Sequence, residues 1–130
     1  MNTSQNNRIL EKIQSSFGQI AVLIDPEKTN SLEKIKQLVD KAHFAKISYF
    51  FVGGSTVNRS YLEKTIAILK ELTDIPVVIF PGHSSQLSEK ADALLYLSLI
   101  SGRNPDYLIS HHVNSAMEVF GMNIEVLPTA

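Results

Sequence analysis

The fold class is decided by the stretch Ile20-Ala21-Val22-Leu23-Ile24-Asp25-Pro26-Glu27-Lys28. Its first five residues are all apolar and three are β-branched, which is typical of a strand buried on both faces of a parallel sheet. Asp25 follows at the end of this strand, and Pro26 prevents the strand from continuing. Because α/β proteins place their chemistry at the carboxyl ends of parallel strands, Asp25 is a candidate functional residue. The alternative interpretation is that Asp25 only starts a turn.

Length and composition predict a single globular domain. The 130 residues are enough for one domain with its own core, spanning residues 1–130, and too few for two. Apolar residues make up 44% and charged residues 19%, as in ordinary globular proteins. Twelve Lys and Arg against 13 Asp and Glu give a net charge of −1. Since the basic residues are not clustered, we expect no nucleic-acid partner.

The sequence also carries signals about location. It has no cysteine and therefore no disulfide, which fits a cytoplasmic protein. The longest apolar run, residues 93–100 with one serine inside, is too short to span a membrane. Residues 1–7 lack the basic and then apolar layout of a signal peptide. We expect a cytoplasmic chain without a transmembrane segment and with only transient membrane contact.

Apolar runs that suit strands alternate along the chain with apolar residues at helical spacing. The predicted strands are 20–24, 47–52, 76–80, 93–98 and 124–127; the predicted helices are 8–17, a segment from about 30 to 45, 60–72 and 104–120. We assign N-terminal caps to the second and third helices from Asn30 with Glu33 and from Ser60 with Glu63, Asn58 being an alternative cap for the third. Repeated strand–helix–strand units predict a parallel sheet.

Two architectures fit five such units. One is a doubly wound sheet of flavodoxin type, for which 130 residues make a complete domain. The other is the first part of a (β/α)8 barrel, which needs about 250 residues. Receiver-type flavodoxin-like domains carry an aspartate at the end of the third strand, where this chain has Phe80-Pro81-Gly82. That difference disfavours the receiver interpretation.

Gly53, Gly54 and Ser55 end the second predicted strand and are the best companions for Asp25. Glycines allow close approach of the backbone to a ligand, and N–H groups there can receive a phosphate oxygen. The Ser55 hydroxyl can coordinate Mg²⁺ beside a carboxylate, because hard cations prefer oxygen ligands. The alternative is an ordinary glycine turn. Neither a dinucleotide-binding fingerprint nor a P-loop is present.

Further polar residues follow the third and fourth predicted strands. His83 would face the same end of the sheet as Asp25, either as a ligand contact or as a solvated loop residue. Arg103 and Asn104 stand at a helix N-terminus, a combination that suits an anion, although Arg103 is equally explained as a surface residue. His111 and His112 point about 100° apart on a helix and are assigned a structural role.

Several stretches together resemble the geranylgeranylglyceryl phosphate synthase family. The matching segments, in the family's order and spacing, are Leu23-Ile24-Asp25-Pro26-Glu27-Lys28, Phe51-Val52-Gly53-Gly54-Ser55, Val78-Ile79-Phe80-Pro81-Gly82 and Ala91-Asp92-Ala93-Leu94-Leu95-Tyr96-Leu97-Ser98-Leu99-Ile100-Ser101-Gly102-Arg103-Asn104-Pro105. The last segment is long enough to be highly specific. The resemblance covers nearly all of the chain from Ile20 onward and is closest to the branch in Bacteroidetes-like bacteria and some archaea.

The resemblance implies parallel (β/α) units of a TIM-type barrel, with about five of the eight strands present. It implies transfer of a prenyl group from a polyprenyl diphosphate to sn-glycerol 1-phosphate, which forms the first ether bond of archaeal-type membrane lipids. In that family Mg²⁺ is held by the residues matching Asp25 and Ser55. Gly53, Gly54, Arg103, Asn104 and His83 are the expected diphosphate or substrate contacts, and Tyr96 is a candidate for the border of the prenyl channel, equally well explained as barrel core.

Two departures from the family pattern affect these expectations. Leu23 stands where members of the other branch have a lysine. The segments that bind glycerol phosphate in the family lie beyond Ala130, so we assign no catalytic base and expect the 130-residue chain alone to be inactive. We also expect self-association of an open sheet into a homo-oligomer. The alternative function is a non-catalytic half-barrel that self-associates or binds a diphosphate without turnover.

Overall fold

The computed structural model describes residues 8–54, 59–82, 87–97 and 124–129. These residues form three helices, α1 Arg8–Ser15, α2 Leu32–Ala45 and α3 Arg59–Leu72, and five strands, β1 Ala21–Ile24, β2 Tyr49–Val52, β3 Val77–Ile79, β4 Ala93–Leu97 and β5 Glu125–Thr129. The helix predicted at 104–120 lies outside the described residues.

The five strands are all parallel and lie in sequence order, β1-β2-β3-β4-β5. A flavodoxin-type sheet would instead reverse direction and place its first strand inside the sheet, in the order 2-1-3-4-5. Continuous winding in one direction is the arrangement of a (β/α)8 barrel. The strand order therefore decides between the two predicted architectures in favour of TIM-type barrel units.

Alternate residues of the strands divide the core between the two faces of the sheet. The outer face, which α2 and α3 cover, is formed by residues such as Ile24, Phe50, Val52, Ile79 and Leu94. The inner face is a second cluster built from Tyr49, Val78, Ala93, Leu95 and Leu127, against which Phe51 packs. Burial on both faces explains why β2, β3 and β4 consist almost entirely of apolar residues.

Helix α1 covers the inner face at the amino ends of the strands. Its residue Ile9 is buried in the inner cluster. The carboxylate of Glu125, at the start of β5, accepts hydrogen bonds from the backbone N–H groups of Ile9 and Leu10, both at 2.9 Å. These N–H groups belong to the first turn of α1, where an acceptor must come from outside the helix. A buried carboxylate of the last strand thus caps the first helix.

The prediction that β1 is buried on both faces is wrong. Ile24 is buried, but Leu23 is 59% exposed and Ile20, just before the strand, is 53% exposed. Among the described strands β1 pairs with β2 alone. The apolar composition of the stretch identified a strand correctly, whereas the covering of that strand depends on neighbours that local sequence does not specify.

The predicted cap of α2 and the first of the two predicted caps of α3 differ from the structure, and the alternative α3 cap, Asn58, lies outside the described residues. Ser31, not Asn30, caps α2, because its Oγ accepts the Lys34 N–H at 3.2 Å. Ser60 lies inside α3, which begins at Arg59, so it is not the cap. The predicted apolar faces are largely confirmed: Ile35, Val39, Ala42, Leu62, Ile66 and Leu69 are buried.

The first helix ends earlier than predicted. The expected helix 8–17 is observed as Arg8–Ser15, and Phe17 is fully exposed instead of joining its apolar face. Gly18, the predicted stop, has a positive φ of 68°, a backbone conformation that glycine adopts without a Cβ penalty. It turns the chain from α1 toward β1.

Candidate functional site

The carboxyl ends of β1, β2 and β3 lie level with one another. Ile24 pairs with Val52, and Val52 pairs with Ile79. The residues that directly follow these strands continue the alignment. The Gly53 N–H donates to the Ile24 carbonyl at 3.0 Å, and the Phe80 N–H donates to the Val52 carbonyl at 2.9 Å. Asp25, Gly53 and Phe80 form what we call the strand-end row.

Asp25 is a turn former, as one of its two interpretations predicted. Its Oδ1 accepts the Glu27 N–H at 3.0 Å, and its carbonyl accepts the N–H groups of Lys28 at 3.1 Å and Thr29 at 2.9 Å. These bonds fix the carboxylate at the strand end. Within the described residues, Oδ2 receives no hydrogen bond, and the side chain is only partly buried. Asp25 can therefore form this turn through Oδ1 and still bind a ligand through Oδ2.

Gly53 has a structural role in the row. A Cβ at this position would overlap the backbone carbonyl oxygen of Phe80, so only glycine allows the ends of β2 and β3 to approach this closely. Its φ is outside the left-handed region, which excludes the simple glycine turn as the explanation at this position. Because its N–H already bonds to Ile24, this N–H is not the group that would receive a phosphate. A substrate contact at Gly53 stays a prediction.

Aromatic rings adjoin the row on the inner face. Phe51 and Phe80 stack with ring centroids 6.2 Å apart, and Tyr49 lies 6.4 Å from Phe51 on the other side. Phe80 remains 37% exposed. The sequence alone did not predict that Phe80 lies in the same row of strand ends as Asp25. The signal was available, since Phe80 directly follows β3 as Asp25 directly follows β1, and only β2 lies between these two strands.

The described part of the site is therefore one carboxylate beside an apolar aromatic surface. Ser55, His83, Arg103 and Asn104 lie outside the described residues, so their predicted contacts stay predictions. Gly54 directly follows Gly53 at the end of β2. Tyr96 belongs to β4 by its backbone.

No cluster of three or more His, Asp or Glu residues suited to a metal occurs within the described ranges. A single carboxylate such as that of Asp25 is compatible with Mg²⁺ bound together with substrate phosphates. Mg²⁺ is commonly held by one or two protein ligands together with water and substrate phosphates, not by a complete protein cage. Asp25 offers one such ligand through Oδ2.

At the opposite end of the sheet, where the strands begin, Tyr49 makes packing contacts. The pKa of Tyr49 is raised because burial disfavours the charged phenolate. Its hydroxyl donates to Gln19, and the Lys12 ammonium lies 4.8 Å from its ring centroid.

A cleft of about 310 Å³ also lies at this end, lined by His43, Glu71, Leu72, Thr73, Asp74 and Ile75. It is remote from the strand-end row, because the segment from Thr73 to Ile75 precedes β3.

Continuous parallel (β/α) units with an acid at the end of β1 define the class of barrel proteins whose sites lie at the carboxyl ends of the strands. The particular family follows from comparison. The profile described as the PcrB family matches residues 12–130. The chain belongs to this family.

Named relatives agree with this assignment. The chain is 47% identical over 123 residues to the geranylgeranylglyceryl phosphate synthase of Chitinophaga pinensis, covering 95% of this chain and 48% of the relative. It is 45% identical over 127 residues to the synthase of the same name from Flavobacterium johnsoniae, covering 98% and 52%. The chain thus spans about half the length of the curated relatives it matches.

A solved structure agrees as well. The (S)-3-O-geranylgeranylglyceryl phosphate synthase of Thermoplasma acidophilum, in complex with its substrate sn-glycerol-1-phosphate, superimposes with a TM-score of 0.78 at 30% identity. The match covers 98% of this chain and 51% of that one. The family resemblance read from the sequence is confirmed, as is the TIM-type fold. Separately, no helix among the described residues has the length and apolar character needed to cross a bilayer.

Proposed function

We propose that this chain supplies the metal- and diphosphate-binding half of a prenyltransferase. The enzyme transfers a geranylgeranyl or related polyprenyl group from its diphosphate to sn-glycerol 1-phosphate, giving the first ether bond of an archaeal-type phospholipid. The observation that carries the proposal is the 45–47% identity, over at least 95% of the chain, to relatives named geranylgeranylglyceryl phosphate synthase. These names favour the enzyme over a non-catalytic half-barrel.

The reaction exchanges one carbon–oxygen bond for another. The bond between the allylic carbon and the diphosphate oxygen breaks, and the diphosphate leaves with the electron pair. An oxygen of the glycerol hydroxyl forms the new ether bond to that carbon, and its proton passes to a base. We assign neither the base nor the glycerol phosphate contacts to residues 1–130.

Asp25 has the position and the free oxygen for the proposed metal role. Its turn bonds hold the carboxylate in place through Oδ1, and Oδ2 accepts no hydrogen bond from the described residues. Ser55, two residues after Gly53, is the proposed hydroxyl ligand on the neighbouring strand end. When bound, Mg²⁺ would neutralise the diphosphate and so favour its departure.

The other contacts of the proposed site are Gly54, His83, Arg103 and Asn104, which would hold the diphosphate. Arg103 suits this role because its guanidinium can form paired hydrogen bonds with phosphate oxygens. We further propose that the enzyme acts in the cytoplasm as a homo-oligomer. Because the acceptor site is assigned to other residues, the chain by itself would bind the prenyl diphosphate without turning it over.

Calorimetric titration of the 130-residue chain with geranylgeranyl diphosphate tests the proposal. We expect binding that requires Mg²⁺ and that falls at least tenfold in the variant Asp25→Asn, which keeps the size of the side chain but loses its charge. Asp40→Asn is the matched control, because Asp40 is exposed on α2 away from the row. Binding that is equal with and without Mg²⁺, or equal in Asp25→Asn and the native chain, would refute the metal role of Asp25.

A further inference from the structure

Arg59 is the first residue of α3 and lies at the same end of the sheet as the strand-end row. Because α3 is the helix that follows β2, its first turn is near the carboxyl end of that strand. The Nε–H group of Arg59 donates a hydrogen bond of 2.8 Å to the carbonyl oxygen of Leu87. Leu87 belongs to the segment between β3 and β4. This bond therefore connects the two chain segments that leave the carboxyl ends of β2 and β3.

The acceptor of this hydrogen bond is held firmly. The Leu87 side chain is 2% exposed and belongs to the core cluster on the outer face. The next residue, Ser88, is also buried, and its Oγ accepts the Lys90 N–H at 3.2 Å. A hydrogen bond from a charged donor is stronger than one between neutral groups, and partial burial strengthens it further. Arg59 is therefore anchored to a rigid part of the core.

A second contact between α3 and the same segment is weaker. The Nζ of Lys90 lies 3.8 Å from Oε2 of Glu63, and the two side chains are 56% and 36% exposed. Ion pairs with this exposure contribute little, because water and salt screen them. Of these two contacts, the Arg59 bond is the one that fixes the segment after β3 to α3.

The two segments also touch where they leave the strands. Gly53 and Phe80 directly follow β2 and β3, and a Cβ on Gly53 would overlap the Phe80 carbonyl oxygen. One close approach thus joins the segments at their beginning, and the bond from Arg59 to Leu87 joins them further along the chain. Two connections restrict the relative movement of the segments more than either does alone.

Residues of the proposed diphosphate site lie in sequence between these two connections. Ser55 precedes Arg59 by four positions, and His83 precedes Leu87 by four positions. We propose that Arg59 is a positioning residue, which fixes the segments after β2 and β3 relative to each other and so sets the arrangement of the groups that hold the diphosphate. The inference rests on the proposed function. Its physical basis is that a displacement of about 1 Å in a binding group can cost a large factor in activity.

Calorimetric titration of the 130-residue chain with inorganic pyrophosphate and Mg²⁺ tests this role. Arg59→Met keeps a long unbranched side chain and removes every donor. Arg59 is exposed at the start of its helix, so the variant should fold, which circular dichroism verifies. We expect its affinity for pyrophosphate to be about tenfold lower than that of the native chain, because the contacts are no longer held in one arrangement.

Lys70→Met is the matched control. Lys70 is also a cation of α3, and its Nζ donates to Oδ1 of Asp92 at 2.6 Å, but it lies in the last turn of the helix, at the other end of the sheet. Its replacement removes a charge and a charge-assisted hydrogen bond, as the Arg59 variant does. Lys70→Met should lower the urea midpoint and bind pyrophosphate like the native chain.

Ionic strength separates positioning from simple attraction between charges. A lost positive charge near an anion weakens binding through a long-range attraction, which salt screens. Salt does not restore contacts that have moved. The ratio between the affinities of the native chain and Arg59→Met should therefore stay near tenfold when NaCl is raised from about 0.05 M to about 0.5 M.

Three results would each overturn the positioning role while native binding leaves the proposed function in place. They are equal affinities of Arg59→Met and the native chain, a ratio that falls to one at high salt, and equal losses of affinity in Arg59→Met and Lys70→Met. A native chain that does not bind pyrophosphate in the presence of Mg²⁺ would instead overturn the proposed function, and this inference with it.

Discussion

Replacing Glu125 tests how α1 is held in place. Glu125→Ala removes the two hydrogen bonds, both 2.9 Å, that its carboxylate accepts from the N–H groups of Ile9 and Leu10. The Ile9 N–H is buried, so water does not replace the lost acceptor without disturbing the packing. Hydrogen bonds to charged groups contribute about 1.5–3 kcal/mol each and helix caps about 1 kcal/mol, and the two bonds share one side chain. We expect a loss of about 3 kcal/mol.

Urea unfolding followed by far-ultraviolet circular dichroism measures this loss, because the chain contains no tryptophan. A loss of about 3 kcal/mol corresponds to a decrease in Tm of roughly 10 °C. Glu125→Gln keeps an acceptor oxygen but loses the charge, so it should cost about 1 kcal/mol. Glu11→Ala, an exposed carboxylate of α1, is the control and should cost about 0.5 kcal/mol.

Hydrogen exchange separates the local effect from global instability. In Glu125→Ala the N–H groups of Ile9 and Leu10 should exchange faster relative to those of β3. If both Glu125 variants unfold at the urea concentration of the native chain, the capping argument is wrong.

Three further predictions concern other positions. Gly53→Ala should cost about 3 kcal/mol in urea unfolding, because its Cβ would overlap the Phe80 carbonyl; an unchanged midpoint would contradict this close approach. Ser31→Ala should cost about 1 kcal/mol by loss of the α2 cap, whereas Asn30→Ala should cost less, and the reverse order would favour the cap first predicted. The raised pKa of Tyr49 means that its contribution to the free energy of unfolding is complete below about pH 10, the unfolded pKa, and is lost as pH rises through the folded pKa. Absorbance titration should show a late-titrating component that is lost in Tyr49→Phe, and a titration curve whose late part is unchanged by this substitution would contradict the burial argument.

The elements of the fold were predictable because hydrophobic periodicity is local. The strands β2, β3 and β4 and the buried faces of α2 and α3 appeared where the apolar residues predicted them. The α2 cap was predicted one residue too early, because Asn30 and Ser31 are both good capping residues and the local sequence does not decide between them. The exposure of β1 was not predictable, because it depends on which strand lies beside it in space.

The part of the candidate site that lies at the ends of strands was predictable from the sequence. Asp25 followed by Pro26 marks the carboxyl end of β1 from sequence alone, and the structure places Gly53 beside it. The role of Glu125 was missed. A charged residue inside an apolar strand is a signal of a specific partner, but that partner is the first turn of α1, more than 100 residues away, and no local pattern connects them.

The cap on α1 also sets an order of events during synthesis. Because the ribosome produces the chain from its amino end, α1 emerges before the strands, and the residue that caps it emerges 116 positions after Ile9. A helix of eight residues is marginal in water without tertiary support. Until β5 joins the sheet, α1 therefore lacks its cap, and the amino end of the inner face stays open. Helix α1 is thus secured only after β1 to β5 have been made, and until then the inner face of β2 and β3 lacks the cover that α1 provides.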